Sequence, residues 1–351
     1  MKKCVTRIIA LLMLLVMAGC ICLVPELDAM AATTPLAKHG RLSVKGADIV
    51  DKNGEKFQLR GISTHGINWD VGYPYVNRAA FKTLRDDWGV NAIRLAMYTK
   101  EYNGYCNGGD RAQLEKLIDD GVSYAKSLGM YAIIDWHVLN ENPNNNLQES
   151  KEFFAKMAKK YKGNTNVIYE ICNEPNNCTW DEIKSYANQV IRVIRKYDKK
   201  AIIIVGTPTW SQLGRDGTSN EVADNPFTTR KNIVYALHFY AGEWAHNEYL
   251  PAKVEYARSK KVPIIVSEFG VSPASGDGAI NTASADNWFK LLDKYNISYF
   301  CWSLSNKAES ASLLAPGGSK TSKWSTGDLS ETGRYIRKKY RLRRKKLGNK
   351  A

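Results

Sequence analysis

The sequence predicts an α/β fold, a (β/α)8 or TIM barrel, from the order and number of its candidate strands. From residue 59 onward, short runs rich in β-branched residues alternate with longer segments of helical period, the element order of a parallel sheet with crossover helices. The runs number eight, the strand count at which such a sheet closes on itself. They are Leu59–Thr64, Asn91–Tyr98, Tyr131–His137, Val167–Glu174, Ala201–Thr207, Ile233–Tyr240, Val262–Phe269 and Ser298–Leu304.

The segments between the strands have helical periodicity. The clearest is Arg111–Leu128, in which apolar residues recur at i, i+3, i+4 and i+8, and Gly129 follows where a helix usually ends. Segments Trp180–Tyr197 and Ala285–Tyr295 behave similarly. An open doubly wound sheet is the alternative, but no Gly-rich phosphate loop follows any candidate strand, so the closed barrel is favoured.

The N-terminal residues have the composition of an export signal. The run Ile8–Val24 is strongly apolar, follows three bases and precedes Ala29-Met30-Ala31, an A-x-A-like pattern that resembles a cleavage site. We therefore expect a signal peptide over residues 1–31 and a secreted, extracellular protein. Two alternatives stay open: an uncleaved membrane anchor, and a lipoprotein attached through Cys20, which ends a loose lipobox.

The remaining chain predicts one folded domain with a basic end. A spacer over residues 32–41 leads to Leu42–Arg60, which predicts a β-hairpin that turns at Asn53-Gly54 and caps the bottom of the barrel. Residues 42–340 are expected to be a single domain, because no Ser- or Pro-rich linker interrupts them. Residues 341–351 are predicted to be a mobile basic tail.

The net charge of +15 is concentrated at the C-terminus. Ten Lys or Arg and no acid lie in Arg334–Lys350, and the signal contributes +1, which leaves +4 for the rest. A basic patch marks a polyanion partner only where the charges cluster, so we expect no nucleic-acid partner. Two interpretations of the tail stay open: a solvated helix end, or electrostatic contact with an anionic cell surface.

Four cysteines lie outside the signal: Cys106, Cys172, Cys178 and Cys301. Cys172 and Cys301 fall in apolar strand-like runs, which favours buried free thiols. Cys106 and Cys178 fall in loop-like segments, so a disulfide between them is the alternative.

Polar and aromatic residues gather at the carboxyl ends of the candidate strands, where barrel enzymes hold their chemistry. Two glutamates, Glu174 on strand four and Glu268 on strand seven, face one pocket. Such a pair suits acid and nucleophile work on a glycosidic bond, provided one carboxyl stays protonated while the other stays ionised. The other strand-end residues are His65, Arg94, Tyr98, Asp135, Trp136, His137, Asn173, Trp210, His238, Tyr240 and Trp302.

Several neighbours suit this chemistry. Arg94 offers a fixed positive charge that would keep one glutamate ionised. Tyr240 can donate to the same carboxylate, and Asn173 can hydrogen-bond a sugar hydroxyl. Flat apolar faces that pack on pyranose rings would come from Trp69, Trp210 and Trp302.

The segment Ile171–Pro175 resembles the Asn-Glu-Pro signature of glycoside hydrolase family five, the retaining (β/α)8 cellulases of clan A. The likeness spans Leu42 to Gly333 and is greatest to the bacterial endoglucanase branch. Asn-Glu-Pro alone is weak evidence, but its order with the other motifs is strong. Those motifs are Ser63–Gly66, Arg94 in Ile-Arg-Leu, Asp135–His137, Trp210–Gln212, His238–Ala241, Ser267–Gly270, Trp302–Ser305 and the pair Lys307 and Glu309.

The resemblance implies a secreted endo-β-1,4-glucanase that cleaves internal bonds of cellulose or β-glucan through a covalent glycosyl-enzyme intermediate. Glu174 would be the acid/base and Glu268 the nucleophile. Support would come from Arg94, His137, Asn173, His238 and Tyr240, and substrate contacts from His65, Trp69, Tyr98, Trp210, Trp302, Lys307 and Glu309. We expect a monomer without metal or cofactor, with a β-1,4-glucan as its substrate.

Three alternatives stay open. The same chemistry could act on mannan, xyloglucan or mixed-linkage glucan, because only subsite residues discriminate between these polymers. A metal-dependent barrel enzyme is a second, with ligands drawn from His65, His137, Glu174, His238 and Glu268. A non-catalytic glycan-binding protein is the third, although a binder has no need of both glutamates.

Overall fold

The computed structural model describes residues 34–347, and its eight-stranded parallel barrel confirms the predicted fold. A two-stranded antiparallel hairpin, β1 and β2, precedes the barrel, whose strands β3 to β10 close in the order β10-β3-β4-β5-β6-β7-β8-β9. The strands are β1 Ser43–Lys45, β2 Asp48–Val50, β3 Arg60–Thr64, β4 Ala92–Tyr98, β5 Tyr131–His137, β6 Val167–Glu170, β7 Ile203–Val205, β8 Ile233–Tyr240, β9 Ile264–Gly270 and β10 Tyr299–Leu304.

Helices surround the barrel, and local capping explains where the long ones begin. Thr179 and Glu182 form a reciprocal capping box at the start of α5, which satisfies two backbone donors that a helix N-terminus leaves free. The helices are α1 Pro35–His39, α2 Arg78–Thr83, α3 Arg111–Ser127, α4 Leu147–Lys160, α5 Trp180–Tyr197, α6 Pro208–Ser211, α7 Glu221–Asp224, α8 Trp244–Ser259, α9 Thr282–Lys294 and α10 Glu331–Leu347. Short 3-10 turns at Tyr73–Tyr75 and Pro143–Asn146 and a π turn at Leu84–Trp88 complete the set. None of the helices within residues 34–347 is long and apolar enough to cross a membrane.

The alternation of side chains along the strands decides which residues reach the barrel interior. On β4, Ile93, Leu95 and Met97 pack outward in the core between sheet and helices, whereas Arg94 and Tyr98 lie on the opposite face. Strands β4 and β5 pair continuously from Ala92 opposite Tyr131 to Tyr98 opposite His137. The same alternation of side chains therefore continues to the carboxyl ends of both strands. The polar interior face of β4 therefore opens onto the top of the barrel.

The N-terminal hairpin packs on the opposite end of the barrel, but its main turn is not where we predicted it. Leu42 and Ile49 join the interior cluster of Tyr131 and Phe300, so the hairpin closes the bottom. Its strands connect at residues 46–47, where Gly46 has φ of 61°.

The predicted turn at Asn53-Gly54 exists as a second, separate turn. The Asp51 carboxylate accepts hydrogen bonds from the backbone N–H groups of Asn53 and Glu55. A single antiparallel bridge joins Val50 to Lys56 behind it. The Asn-Gly signal was therefore correct for a turn but assigned to the wrong strand pair.

The two ends of the domain differ from prediction. The predicted spacer contains helix α1, whose residue Leu36 donates its N–H to the Gly129 carbonyl at 2.9 Å. The predicted tail boundary after residue 340 falls inside α10, because the helix continues to Leu347. Arg341 and Arg343 pair there with acids on neighbouring elements. The predicted signal peptide lies outside the described residues.

The four described cysteines are free thiols. Cys172 and Cys301 are buried, as predicted, and Cys106 and Cys178 are only partly buried. The alternative of a disulfide between Cys106 and Cys178 is therefore wrong for this structure.

Candidate active site

A single buried guanidinium organises the carboxylates at the top of the barrel. Arg94 is fully buried, and its Nε donates to Glu170 Oε2 at 2.7 Å. Its Nη1 donates to Glu268 Oε2 at 3.0 Å, and its Nη2 lies 3.0 Å from Asp135 Oδ2. Nη2 also donates to Asn173 Oδ1 at 2.5 Å. One cation thus faces three carboxylates from three different strands.

A hydrogen-bonded chain leads from this cluster to the rim of the site. His137 Nδ1 lies 2.6 Å from Asp135 Oδ2, and His137 Nε2 lies 3.2 Å from the Asn173 amide nitrogen. The same amide nitrogen donates to the Val138 carbonyl at 2.9 Å. These contacts fix the orientation of Asn173, which directly precedes Glu174 in the chain.

The two predicted glutamates have different partners. Glu268 is 4% exposed and receives hydrogen bonds from Tyr240 at 2.8 Å and from Arg94. Glu174, with 12% of its side chain exposed, pairs with His238 Nδ1 at 2.8 Å, while Nε2 of that histidine contacts Ser267 Oγ at 2.9 Å. The nearest oxygens of the two carboxyls lie within 4.8 Å of each other.

These surroundings give Glu174 a higher affinity for its proton than a free glutamate has. Burial, together with the negative charge of Glu268, holds the pKa of Glu174 well above its usual value, and Arg94 opposes this only in part. Glu268, in contrast, accepts hydrogen bonds from the Arg94 guanidinium and the Tyr240 hydroxyl, which fix its position. The site therefore contains one carboxyl suited to donate a proton beside one suited to attack.

Two further buried acids share the positive charge of Arg94. Burial raises the pKa of Asp135 and of Glu170 to about 7, although the guanidinium of Arg94 lowers both. One oxygen of each, Asp135 Oδ1 and Glu170 Oε1, has no hydrogen-bond partner among the described residues. Burial also lowers the pKa of His137 to about 3 and that of His238 well below its usual value, so both rings are neutral.

The carboxyls open into a cleft of about 610 Å³ at the carboxyl ends of the strands. Its floor includes Trp302, which stacks on His137 with ring centroids 5.2 Å apart and an interplanar angle of 19°. Trp69 packs 4.6 Å from Tyr98, at the edge of the same region. The lining residues are His65, Tyr98, His137, Leu139, Asn140, Glu174, Trp210, Gln212, His238, Tyr240, Glu243, His246, Glu268, Ala274, Ser275, Gly276, Trp302, Lys307 and Glu309.

At one end of the cleft, a cation and an anion form a polar contact. Lys307 Nζ lies 2.5 Å from Glu309 Oε2, and His65 Nε2 lies 3.8 Å from Glu309 Oε1. Burial lowers the pKa of His65 to about 3. These groups can exchange hydrogen bonds with a polyhydroxylated ligand.

The segment that presents Trp210 has an unusual backbone. Thr209, Trp210 and Ser211 have φ of 57°, 52° and 59°, a left-handed region that non-glycine residues rarely adopt. Ser211 Oγ donates to the Asn173 carbonyl at 2.7 Å, which ties this strained turn to the residue before Glu174. Trp210 is thereby held 40% exposed on the cleft.

The donor atoms of Glu174, His238 and Glu268 are close enough together to hold a metal ion. Each of them, however, already takes part in a hydrogen bond: His238 contacts Glu174 and Ser267, and Glu268 accepts from Tyr240 and Arg94. A metal would have to displace these protein partners. The donor set therefore suits acid–base and nucleophilic chemistry better than metal binding.

Comparison with known proteins decides the family. The model of the family described as cellulase (glycosyl hydrolase family 5) matches residues 50–308, which is more than half of the chain. The chain belongs to glycosyl hydrolase family 5. Curated relatives agree with this: the chain is 42% identical over 313 residues to Endoglucanase N of Pectobacterium atrosepticum. It is 43% identical over 315 residues to Endoglucanase A of Butyrivibrio fibrisolvens.

These relatives are longer proteins. The matches cover 88% of this chain, but 67% of the Pectobacterium protein and 70% of the Butyrivibrio protein. A third relative, Endoglucanase 5 of Pectobacterium carotovorum subsp. carotovorum, is 43% identical and is covered over 59% of its length.

Solved family 5 structures have the same fold over nearly their whole length. The catalytic domain of Thermobifida fusca endoglucanase Cel5A is similar with a TM-score of 0.82 and 37% identity, covering 88% of this chain and 99% of that one. A variant of that domain was solved in complex with cellotetraose, and it matches with a TM-score of 0.82 and 36% identity over 88% of this chain and 99% of that one.

In this family 5 chain the predicted site residues come together. Eleven of them line the cleft, Trp69 packs at its edge, and Arg94 and Asn173 lie buried behind it. Our site prediction omitted Glu170 and did not assign a role to Asp135. An acid inside an apolar strand was the available signal, since a buried carboxylate needs a cation such as Arg94 beside it.

Proposed function

We propose that this protein is a retaining endo-β-1,4-glucanase that hydrolyses internal bonds of cellulose or a related β-glucan. The observation that carries the proposal is the pair Glu174 and Glu268, whose nearest oxygens lie within 4.8 Å. Retaining glycosidases have carboxyls about 5–5.5 Å apart, whereas inverting enzymes need roughly 6.5–9.5 Å to admit a water molecule. The names of the family 5 relatives and the cellotetraose complex support the substrate class.

In the first step, a Glu268 oxygen attacks the anomeric carbon and forms the glycosyl–enzyme bond. The bond to the leaving oxygen breaks, and the proton of Glu174 passes to that oxygen, so the departing chain leaves as a neutral alcohol. The raised pKa of Glu174 supplies this proton near neutral pH. Tyr240 and Arg94 hold Glu268 in position from two sides.

In the second step, the ionised Glu174 takes a proton from water. The resulting hydroxide attacks the anomeric carbon from the face that the leaving chain has vacated, and the ester bond to Glu268 breaks. Two inversions give net retention of the β-configuration. Glu174 regains its proton and Glu268 its negative charge, so the cycle closes.

A panel of purified polysaccharides tests the substrate. We expect release of reducing sugar from β-1,4-glucans, with a rapid fall in viscosity because internal bonds are cut. Faster hydrolysis of mannan or xyloglucan than of any β-1,4-glucan would show that the proposed substrate is wrong, but the proposed chemistry would stand. If the protein binds a glycan but hydrolyses none, it is a non-catalytic glycan-binding protein.

The stereochemistry has its own measurement. Proton NMR of the first product should show the β-anomer before mutarotation mixes the two forms. An α-anomer that appears first would reject Glu268 as nucleophile.

We also propose that the protein is exported, since residues 1–31 have signal composition. The mature enzyme should appear in the medium of expressing cells. Retention in the membrane fraction that is lost in Cys20→Ser would instead support lipid attachment.

The described part of α10 supports electrostatic contact of the C-terminus with an anionic cell surface. Lys338, Arg344 and Lys345 line a groove of about 630 Å³ beside this helix and form no ion pair among the described residues. Six Lys or Arg and two Asp line the groove, so its net charge is positive and would attract a polyanion.

A further inference from the structure

Two exposed aromatic side chains stand together at the start of α8. Trp244 is 69% exposed and Tyr249 is 39% exposed. Their ring centroids lie 5.8 Å apart at an interplanar angle of 82°. Single exposed aromatics are ordinary on protein surfaces, but here the edge-to-face contact with Tyr249 holds an exposed indole in place, as a binding surface requires.

The chain on both sides of Trp244 belongs to the cleft. Glu243 precedes it and His246 follows it, and both line the cleft. His246 Nδ1 accepts the backbone N–H of Tyr240 at 2.9 Å, and Glu243 accepts the N–H of Ala274 at 2.8 Å. Trp244 is therefore located at the rim of the cleft, on a backbone fixed from both sides.

The platform is also attached to the segment that carries Trp210. Lys253 of α8 is 3% exposed, and its Nζ donates to the Gln212 carbonyl at 3.1 Å and to that of Asp216. A Cβ on Gly217 would lie only 2.9 Å from the Tyr249 ring, so the backbone there packs closely on the ring. Trp210 and the Trp244–Tyr249 pair thus occupy one rigid edge.

Trp210 lies across the barrel from His65, because Trp210 follows β7 and His65 follows β3, four strands away around the closed sheet. Trp244 follows β8, the neighbour of β7. The catalytic carboxyls line the same cleft as His65 and Trp210. A polysaccharide that passes over the carboxyls from the His65 end leaves the cleft beside Trp210 and Trp244.

We propose that Trp244 and Tyr249 form a sugar-binding platform that holds glucosyl units of the polymer beyond the cleft. This inference rests on the proposed function and names a further part of the same substrate site. The faces of a β-linked glucosyl unit carry only C–H groups, which pack on a flat indole, while its hydroxyls stay in water. An exposed tryptophan at the rim offers that face without closing the cleft to long chains.

Steady-state kinetics of Trp244→Ala on two substrates test the platform. On a long soluble β-1,4-glucan we expect KM to rise about threefold to tenfold with kcat unchanged, because only ground-state binding is lost. On an aryl β-cellobioside, which is too short to reach the platform, kcat/KM should stay within about twofold of wild type. Trp244→Phe, which keeps a flat face, should recover most of the affinity for the polymer.

A control variant and a binding assay make the outcome decisive. Leu342→Ala removes an apolar side chain that is 50% exposed on α10, away from the cleft. This variant should not change the kinetics on either substrate. In native gels that contain β-glucan, the polymer should slow the migration of Trp244→Ala less than it slows the wild-type protein. An unchanged polymer KM, or equal losses on both substrates, would overturn the platform. Failure of the wild type on every substrate would instead refute the proposed function, and gel retardation would still test the platform.

Discussion

The buried cation Arg94 should be the most sensitive charge in the protein. Its guanidinium lies within 3.0 Å of carboxylate oxygens of Asp135, Glu170 and Glu268. Arg94→Met keeps much of the side-chain volume but leaves these acids without a counterion. Breaking a buried ion pair costs about 3–5 kcal/mol, a large part of the roughly 5–15 kcal/mol that stabilises a typical protein.

The loss should be visible in thermal unfolding and should depend on pH. At about 2–4 °C per kcal/mol, the midpoint should fall by roughly 6–20 °C. The pKa values of Asp135 and Glu170 are about 7 with Arg94 present, so both acids are largely protonated at pH 5 and largely ionised at pH 8. Since ionised acids depend most on the cation, the deficit should be larger at pH 8 than at pH 5.

Arg60 supplies a matched control on the neighbouring strand. It is 2% exposed, like Arg94, but it forms no ion pair among the described residues, and its Nε and Nη1 have no partner there. Arg60→Met should therefore cost less than about 1 kcal/mol, or stabilise the fold. Equal midpoint losses in the two variants, or a loss in Arg94→Met that does not change with pH, would refute the charge argument.

Further predictions concern the catalytic pair, the pH dependence of stability and the C-terminus. Glu268→Gln should nearly abolish turnover, because the covalent route needs a carboxylate. Glu174→Ala should lower the rate roughly 10²–10⁴-fold on substrates with poor leaving groups. Azide should restore the activity of this variant and give a β-glycosyl azide as product. Full activity in both variants would show that the active site lies elsewhere. For Asp135 and Glu170, folding raises the pKa from 3.8 and 4.5 to about 7, so the native state binds more protons and stability should fall as pH rises through that window. Denaturant titrations between pH 4 and pH 8 should show this slope, and a rise in stability would contradict it. Deleting residues 341–351 should leave hydrolysis of soluble glucan unchanged but lower adsorption to anionic cell-wall material at low salt, because charges are screened beyond about 8 Å at physiological ionic strength. Equal adsorption with and without these residues would remove the surface-contact interpretation.

Local signals predicted the elements well where the relevant contacts are close in sequence. The predicted helix Trp180–Tyr197 has the bounds observed for α5, because its capping box and apolar face lie within the helix itself. The Asn53-Gly54 signal gave a real turn, but the pairing of the first hairpin depends on burying Leu42 and Ile49 under the barrel. That contact joins residues that no local pattern relates.

The C-terminal helix illustrates the same difference. The density of bases after residue 340 predicted a mobile tail, because so many charges cannot share one buried face. Acids on other elements nevertheless pair with these bases: Asp87 contacts Arg341, and Asp293 contacts Arg343. The boundary of the helix therefore depends on partners about 50 residues or more away in the chain.

By itself, the sequence determined the barrel and the pair Glu174 and Glu268, because strand periodicity and short motifs are local properties. Tertiary structure alone decided what those carboxyls can do. Barrel closure brings their oxygens within 4.8 Å and connects Arg94 to Glu170, a residue 76 positions away. Proton affinity depends on burial and on charges a few ångströms distant, and the fold, rather than the order of residues, determines both.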